Sequence, residues 1–333
     1  MTEGLARRIR DAGGSGPLWV DAPDGPRLAC WDLALGTKPG PVSVAGTEPA
    51  LGATPGRPLL LTHGSGLNGR SWAPVGELLG TRHLLPLALD LRGHGASGRS
   101  PGGNYDWELF AGDVLAAVDQ LGLGRGDVLA AGHSAGATAL LLAEARRPGT
   151  FAALWLWEPV LTTPGSDLRE VRSRELADRA RRRRARFASL EQARSHFSGR
   201  GMFARFDPAA MEGFLSAAFV RAPGSDDYLL ACDPEDEART FEASGTHDAW
   251  GRLGEVRCPV RVLGGALSVA VPPADVAAIA GRLPSGEAVA IAGLGHFGPF
   301  ESPGEIADDI SAWAGPGPLA APSGSTSKSH PGD

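Results

Sequence analysis

The sequence is short of the residues that staple, clamp or anchor a chain from outside. It holds three cysteines in 333 residues, Cys30, Cys232 and Cys258. That odd, scattered set forms neither a disulfide framework nor a metal-type cluster. Three small buried thiols in a reducing cytoplasm are the expectation. No apolar run approaches the ~20 residues that cross a bilayer. The first ten residues carry positive charge with no apolar stretch behind them, so they do not read as a signal peptide. Together these features argue against a membrane partner. An excess of positive charge is missing too. The net charge is −6, which argues against a nucleic-acid partner. No His-Glu-x-x-His and no cysteine pair points to a metal, and no motif calls for a cofactor. Aromatics are only 6% of the chain.

What the sequence does have is apolar content of 42%, with 47 glycines and 27 prolines. Short apolar strands read at Leu18–Asp21, Arg27–Leu35, Pro58–Thr62, Leu84–Leu91, Val128–Ala131, Phe151–Trp157, Pro259–Leu263 and Glu287–Ile291. Helical patterns read at Trp72–Leu79, Trp107–Leu121, Ala137–Arg146, Pro273–Leu283 and Pro303–Trp313. Such alternation predicts an α/β fold with a mainly parallel, doubly wound sheet. The pattern breaks at 162–253, which is charged, helical and without an obvious apolar strand. Within it, Asp233-Pro234-Glu235 is a good helix start. The expected organisation is an N-terminal extension (1–17), a core (18–161 and 254–314) with a flexible insertion at 36–57, a helical cap (162–253) and a disordered tail (315–333).

Gly132-His133-Ser134-Ala135-Gly136 sits between a strand and a helix. That is the context a nucleophile elbow requires. The turn is too tight for side chains at the two glycines, and the helix that follows aims its N-terminal N–H groups at the site. Three more motifs follow strand ends: Thr62-His63-Gly64-Ser65-Gly66, Asp90-Leu91-Arg92-Gly93-His94-Gly95 and Gly293-Leu294-Gly295-His296-Phe297-Gly298. In order and spacing, these four motifs resemble the α/β-hydrolase fold family over residues 18–314. The resemblance implies a serine hydrolase with a helical cap. Ser134 would be the nucleophile and His296 the general base. The backbone N–H groups of Ser65 and Ala135 would form the oxyanion hole. The chemistry agrees, because a serine hydroxyl needs an adjacent imidazole to take its proton. A tetrahedral intermediate also needs N–H donors.

The acid departs from the commoner pattern. The turn after the seventh core strand reads Gly264-Gly265-Ala266-Leu267-Ser268-Val269, and no carboxylate lies between Glu255 and Asp275. Some family members carry the acid after the sixth strand, which here ends in Glu158-Pro159. Glu158 is therefore expected to orient His296, with Asp275 as runner-up. Asp275 also reads as an ordinary first-turn helix acid. His63, His94, Asp90 and Arg92 read as loop organisers, and His133 as either pocket or packing. His83, His196, His247 and His330 follow no pattern. Leu67, Trp72 and Phe297 flank the motif loops, either as a partly apolar pocket or as packing beneath it. Arg179–Arg186 reads as the solvated face of a lid helix paired with Glu175, Asp178 and Glu191, rather than as a polyanion site. The reaction expected is ester hydrolysis of a small, partly apolar substrate through an acyl-serine. Amide, lactone or carbon–carbon hydrolysis on the same triad, or a ligand receptor that kept it, remain open. Nothing in the sequence sets the oligomeric state.

Overall fold

A computed structural model describes residues 5, 16–34, 56–161 and 167–315, with side chains from 171 onward in the last stretch. Residues 36–55 of the expected insertion, 1–4 and 6–15 of the extension, 162–166 of the cap, and all but the first residue of the expected tail lie outside the described residues. In chain order the elements are β1 (Leu18–Asp21), β2 (Arg27–Asp32), β3 (Arg57–Thr62), α1 (Ala73–Gly80), β4 (Leu84–Leu89), α2 (Trp107–Gln120), β5 (Leu129–His133), α3 (Ala135–Arg146), β6 (Ala153–Trp157), α4 (Asp167–Arg181), β7 (Arg186–Phe187), α5 (Leu190–Phe197), α6 (Pro208–Ala217), β8 (Phe219–Arg221), β9 (Tyr228–Leu230), α7 (Pro234–Glu242), β10 (Val260–Gly265), α8 (Pro273–Arg282), β11 (Gly286–Ile291), α9 (Gly298–Glu301) and α10 (Pro303–Ala314).

Eight strands form one sheet in the order β1-β2-β4-β3-β5-β6-β10-β11. The pairings β1–β2 and β2–β4 are antiparallel, and the remainder are parallel. The central strands β3 to β6 are buried almost along their whole length. That is why they read as continuous apolar runs rather than alternating ones. Successive residues still serve opposite faces. Leu60, Leu154 and Val262 pack with α2, α3 and α8, whereas Leu59, Leu61, Trp155 and Leu263 pack with α1 and α10. The three cysteines are free and buried.

Between β6 and β10 the chain leaves the sheet. The helical cap expected here is present as the four helices α4–α7, and beside them β7, β9 and β8 form a small antiparallel sheet that the sequence did not reveal. Strands of two or three residues, partly exposed, leave no apolar run for a reader of sequence to find. The arginine run is not one helix face either, since α4 ends at Arg181. It is paired, but with other acids than expected: Arg181 with Glu235 and Glu242, Arg183 with Glu237, and Arg186 with Asp227. Asp233 does cap α7, its side chain accepting from the Glu235 amide. Trp107 and Arg99 of the core fasten α7 from below, through an indole bond to the Thr240 carbonyl (3.0 Å) and an ion pair to Asp236 (2.6 Å).

Arg92 knots three segments of the core together. Its guanidinium donates to both carboxylate oxygens of Asp113 on α2 (2.8 and 2.6 Å) and to both of Asp24 in the β1–β2 turn (2.6 and 2.7 Å). The Arg92 and Asp113 side chains are fully buried. Removing one member strands the other charge in the interior, which costs about 3–5 kcal/mol. Arg92→Met should therefore lose stability on that scale in urea unfolding. The double change Arg92→Met/Asp113→Leu should recover a large part of it.

Candidate active site

The carboxyl ends of β5, β6, β10 and β11 share one edge of the sheet. That is where open α/β sheets place their chemistry. At the end of β5 the backbone reverses at Ser134, with φ 53 and ψ −119. Few non-glycine residues adopt such a conformation, and its strain persists only where the surroundings enforce it. They do so here. The Ser134 amide is bonded to the Trp157 carbonyl of β6 at 2.9 Å. A Cβ added at Gly132 would lie 2.7 Å from the Ala137 Cα, and one at Gly136 would lie 2.6 Å from the His63 carbonyl oxygen. No side chain fits at either place.

The loop after β3 covers this turn. A Cβ on Gly64 would stand 3.0 Å from the Ser134 Cβ. Among the described residues, the amides of Ser65 and Ala135 donate to no protein acceptor, whereas the neighbouring Gly66 amide is taken by His94 Nε2 at 3.1 Å. Two histidines hold the loop. His63 Nδ1 donates to the Gly64 carbonyl (2.9 Å) and its Nε2 accepts from the Leu91 amide (3.0 Å). His94 Nδ1 donates to the Arg92 carbonyl at 3.0 Å. Each ring thus uses one nitrogen as donor and the other as acceptor, which requires the neutral form. Burial enforces it, pushing His63 down to about 3 and His94 down to about 4. Asp90 completes the clamp, accepting from the Gly69 amide, the Ala96 amide and the Trp31 indole. Burial raises its carboxyl to about 6. These four residues have the organising place expected for them.

Glu158 follows the last residue of β6, at φ 47. Its side chain is fully buried, and its Oε2 accepts from His296 Nδ1 at 2.6 Å. The same oxygen accepts from the Ser268 hydroxyl at 2.7 Å, and Oε1 accepts from the Gly265 amide at 2.9 Å. A carboxylate with three donors is satisfied as an anion. With Nδ1 as donor, the lone pair of the neutral His296 ring lies on Nε2. The structure thus brings Glu158 and His296 together, while Asp275 lies in the first turn of α8. His296 also packs beside His133, ring centroids 4.8 Å apart, and its carbonyl accepts from His133 Nε2 and the Trp157 indole. His133 is buried, and desolvation holds it well below the usual imidazole range.

Of the three expected pocket residues, Trp72 is a packing residue. It is fully buried, its indole bonded to the Thr62 carbonyl and its ring edge against Phe300. Leu67 is buried in the same cluster. Phe297 is partly buried and lies against His296, His133 and Phe206 of the cap. Sequence reasoning missed the grip of Gly265 and Ser268 on Glu158. It also missed the Arg205–Glu301 ion pair (2.8 Å) that ties the cap to the histidine loop, with Glu301 accepting from the Gly295 amide. Ser268 stands in the turn where a carboxylate was sought, so a hydroxyl there was the available signal.

Known proteins carry the same frame. The structure superposes on a thermophilic esterase from Thermogutta terrifontis with a TM-score of 0.65 at 22% identity, covering 90% of this chain and 98% of that one. It superposes on E-2-(acetamidomethylene)succinate hydrolase with a TM-score of 0.67 at 21% identity, covering 78% and 91%. In sequence, it is 34% identical to human monoglyceride lipase over 119 residues, 34% of this chain and 38% of that protein. It is 30% identical to the lipase LipV of Mycobacterium tuberculosis over 168 residues, 50% and 58%. The chain thus spans well under two thirds of the curated relatives it matches. The alpha/beta hydrolase family model matches residues 59–309, three quarters of the sequence, and the chain belongs to the alpha/beta hydrolase family.

Proposed function

We propose that the protein is a serine hydrolase that cleaves an ester of a small, partly apolar substrate, with Ser134, His296 and Glu158 as its triad. The observation that carries this reading is the 2.6 Å bond from His296 Nδ1 to a buried, three-fold hydrogen-bonded Glu158, on the sheet edge that also holds the strained Ser134. The lipase and esterase relatives favour ester over amide or carbon–carbon cleavage.

In this mechanism the Ser134 hydroxyl attacks the ester carbonyl while His296 Nε2 takes its proton. The oxyanion that forms is met by the amides of Ser65 and Ala135, each worth a few kcal/mol in the barrier (about 2.7–4 for one such donor). His296 then returns the proton to the departing alcohol. Water, activated by the same imidazole, cleaves the acyl-Ser134 and regenerates the hydroxyl. Glu158 keeps His296 in the tautomer with its lone pair at Nε2 and offsets the imidazolium charge. Phe297 and Phe206 supply the apolar wall beside the reacting carbonyl.

A fluorophosphonate should label Ser134, located by peptide mass spectrometry. Ser134→Ala should abolish both labelling and turnover while unfolding at the same urea concentration, because alanine fits the elbow. Labelling of another serine with turnover intact in the variant would overturn the reading.

Removing His296 should cost several orders of magnitude in kcat, and Glu158→Gln about 10³–10⁴-fold, because an amide cannot hold the tautomer or stabilise the cation. Asp275→Asn should change kcat by less than about threefold. A large loss at Asp275 with little at Glu158 would move the acid to α8 and leave the nucleophile and base in place.

A further inference from the structure

Helix α7 of the cap carries a charged pair that the mechanism above does not use. Glu237 is buried, only 3% of its side chain exposed, and its Oε2 accepts from Arg183 Nη1 at 2.5 Å. Its other oxygen, Oε1, lies against Gly66. A Cβ on Gly66 would collide with Oε1 and come within 3.4 Å of Arg183 Nη1. Gly66 is next to Ser65 in the oxyanion loop and two residues, at most about 7 Å along the chain, from Gly64 beside Ser134. The pair therefore borders the loop that carries the Ser65 amide.

Its hydrogen bonding is half complete. A purely structural arginine–carboxylate pair tends to close as a two-bonded fork. Here one bond is made. Among the described residues Oε1 accepts from no donor, and Arg183 Nη2 meets only the thioether of Met202 at 3.6 Å. Burial of the carboxyl group raises it above the usual carboxylate range. The position is also fixed. Arg99 grips Asp236, Trp107 holds the Thr240 carbonyl, and Arg239 donates to the Gly103 carbonyl at 3.2 Å. Glu237 thus belongs mechanically to the core rather than to the outer cap.

We propose that Glu237 and Arg183 form a polar subsite that selects substrates bearing a neutral hydroxyl near the scissile ester. The inference rests on the serine-hydrolase reading and adds the substrate class to it. A cation gains little from a carboxylate already paired with a guanidinium, and an anion would meet Glu237. A hydroxyl suits both free positions, donating to Oε1 and accepting from Arg183 Nη2.

The test compares kcat/KM for two matched ester pairs on the full chain: 2,3-dihydroxypropyl butanoate against propyl butanoate, and propyl 3-hydroxybutanoate against propyl butanoate. At least one hydroxylated ester should be preferred by about tenfold or more, the scale of one hydrogen bond to a charged group. In Arg183→Met/Glu237→Met, which removes both charges together and strands neither, that ratio should fall toward one, mostly through a raised KM. Glu237→Gln keeps an acceptor oxygen and should keep part of the ratio. A wild-type ratio near one for both pairs, or an unchanged ratio in the double variant, overturns the subsite while ester hydrolysis stands. Failure to cleave any of these esters, with Ser134 unlabelled by fluorophosphonate, overturns the hydrolase reading itself.

Discussion

The parallel register across β5, β6 and β10 is the constraint on which the site depends. His133 faces Trp157, and Trp157 faces Leu263. The next amide on each strand continues the ladder by one more bond, Ser134 to the Trp157 carbonyl and Glu158 to the Leu263 carbonyl. These two bonds hold the first residue beyond each strand, where the chain turns away. A slip of one residue would exchange the faces of every side chain on the strand and take the Glu158 carboxylate away from His296 Nδ1. The buried apolar faces that fix the register also fix Ser134 and Glu158. Both Ser134 and Glu158 sit at positive φ, a cost of roughly 1–3 kcal/mol each that this packed sheet overrides.

Around this edge the histidines divide by solvent access. His63, His94 and His133 are buried and held neutral. Two of them work as rigid two-ended connectors between the loops after β3 and β4. His296 keeps about a fifth of its side chain exposed and faces the fully buried carboxylate of Glu158. Three of the four imidazoles at this edge are thus locked away from solvent, and the one paired with Glu158 is not.

The core was legible in the sequence because its strands are buried on both faces and its helices alternate with them. Predicted and observed ends agree within about two residues for most elements, for instance Trp107–Gln120 and Gly286–Ile291. The elbow and the histidine loop were legible because glycines mark where no side chain fits. The family resemblance pointed to Glu158 at the end of β6, but its contacts could not be read. Gly265 and Ser268 are more than a hundred residues away in sequence and become neighbours only through the β6–β10 pairing. The cap was the hardest part. Its strands are too short to show a period, and its charged residues pair across elements, so Arg183 looked like surface charge until α7 placed Glu237 beside it.

Seating the carboxylate on β6 has an evolutionary corollary for the turn after β10. That end of the strand and its turn supply one backbone N–H, from Gly265, and one hydroxyl, from Ser268. Its other side chains owe nothing to the reacting groups. Leu267 and Val269 point outward, 58% and 77% exposed, beside Arg172 of α4, which donates to the Val269 carbonyl. In a relative whose acid sits on this turn, drift in its length or sequence would displace the acid itself. In this turn Leu267 and Val269 can change polarity so long as Ser268 keeps its place, with the carboxylate anchored elsewhere. It is a segment where descendants of this sequence can diversify their surface without rebuilding their chemistry.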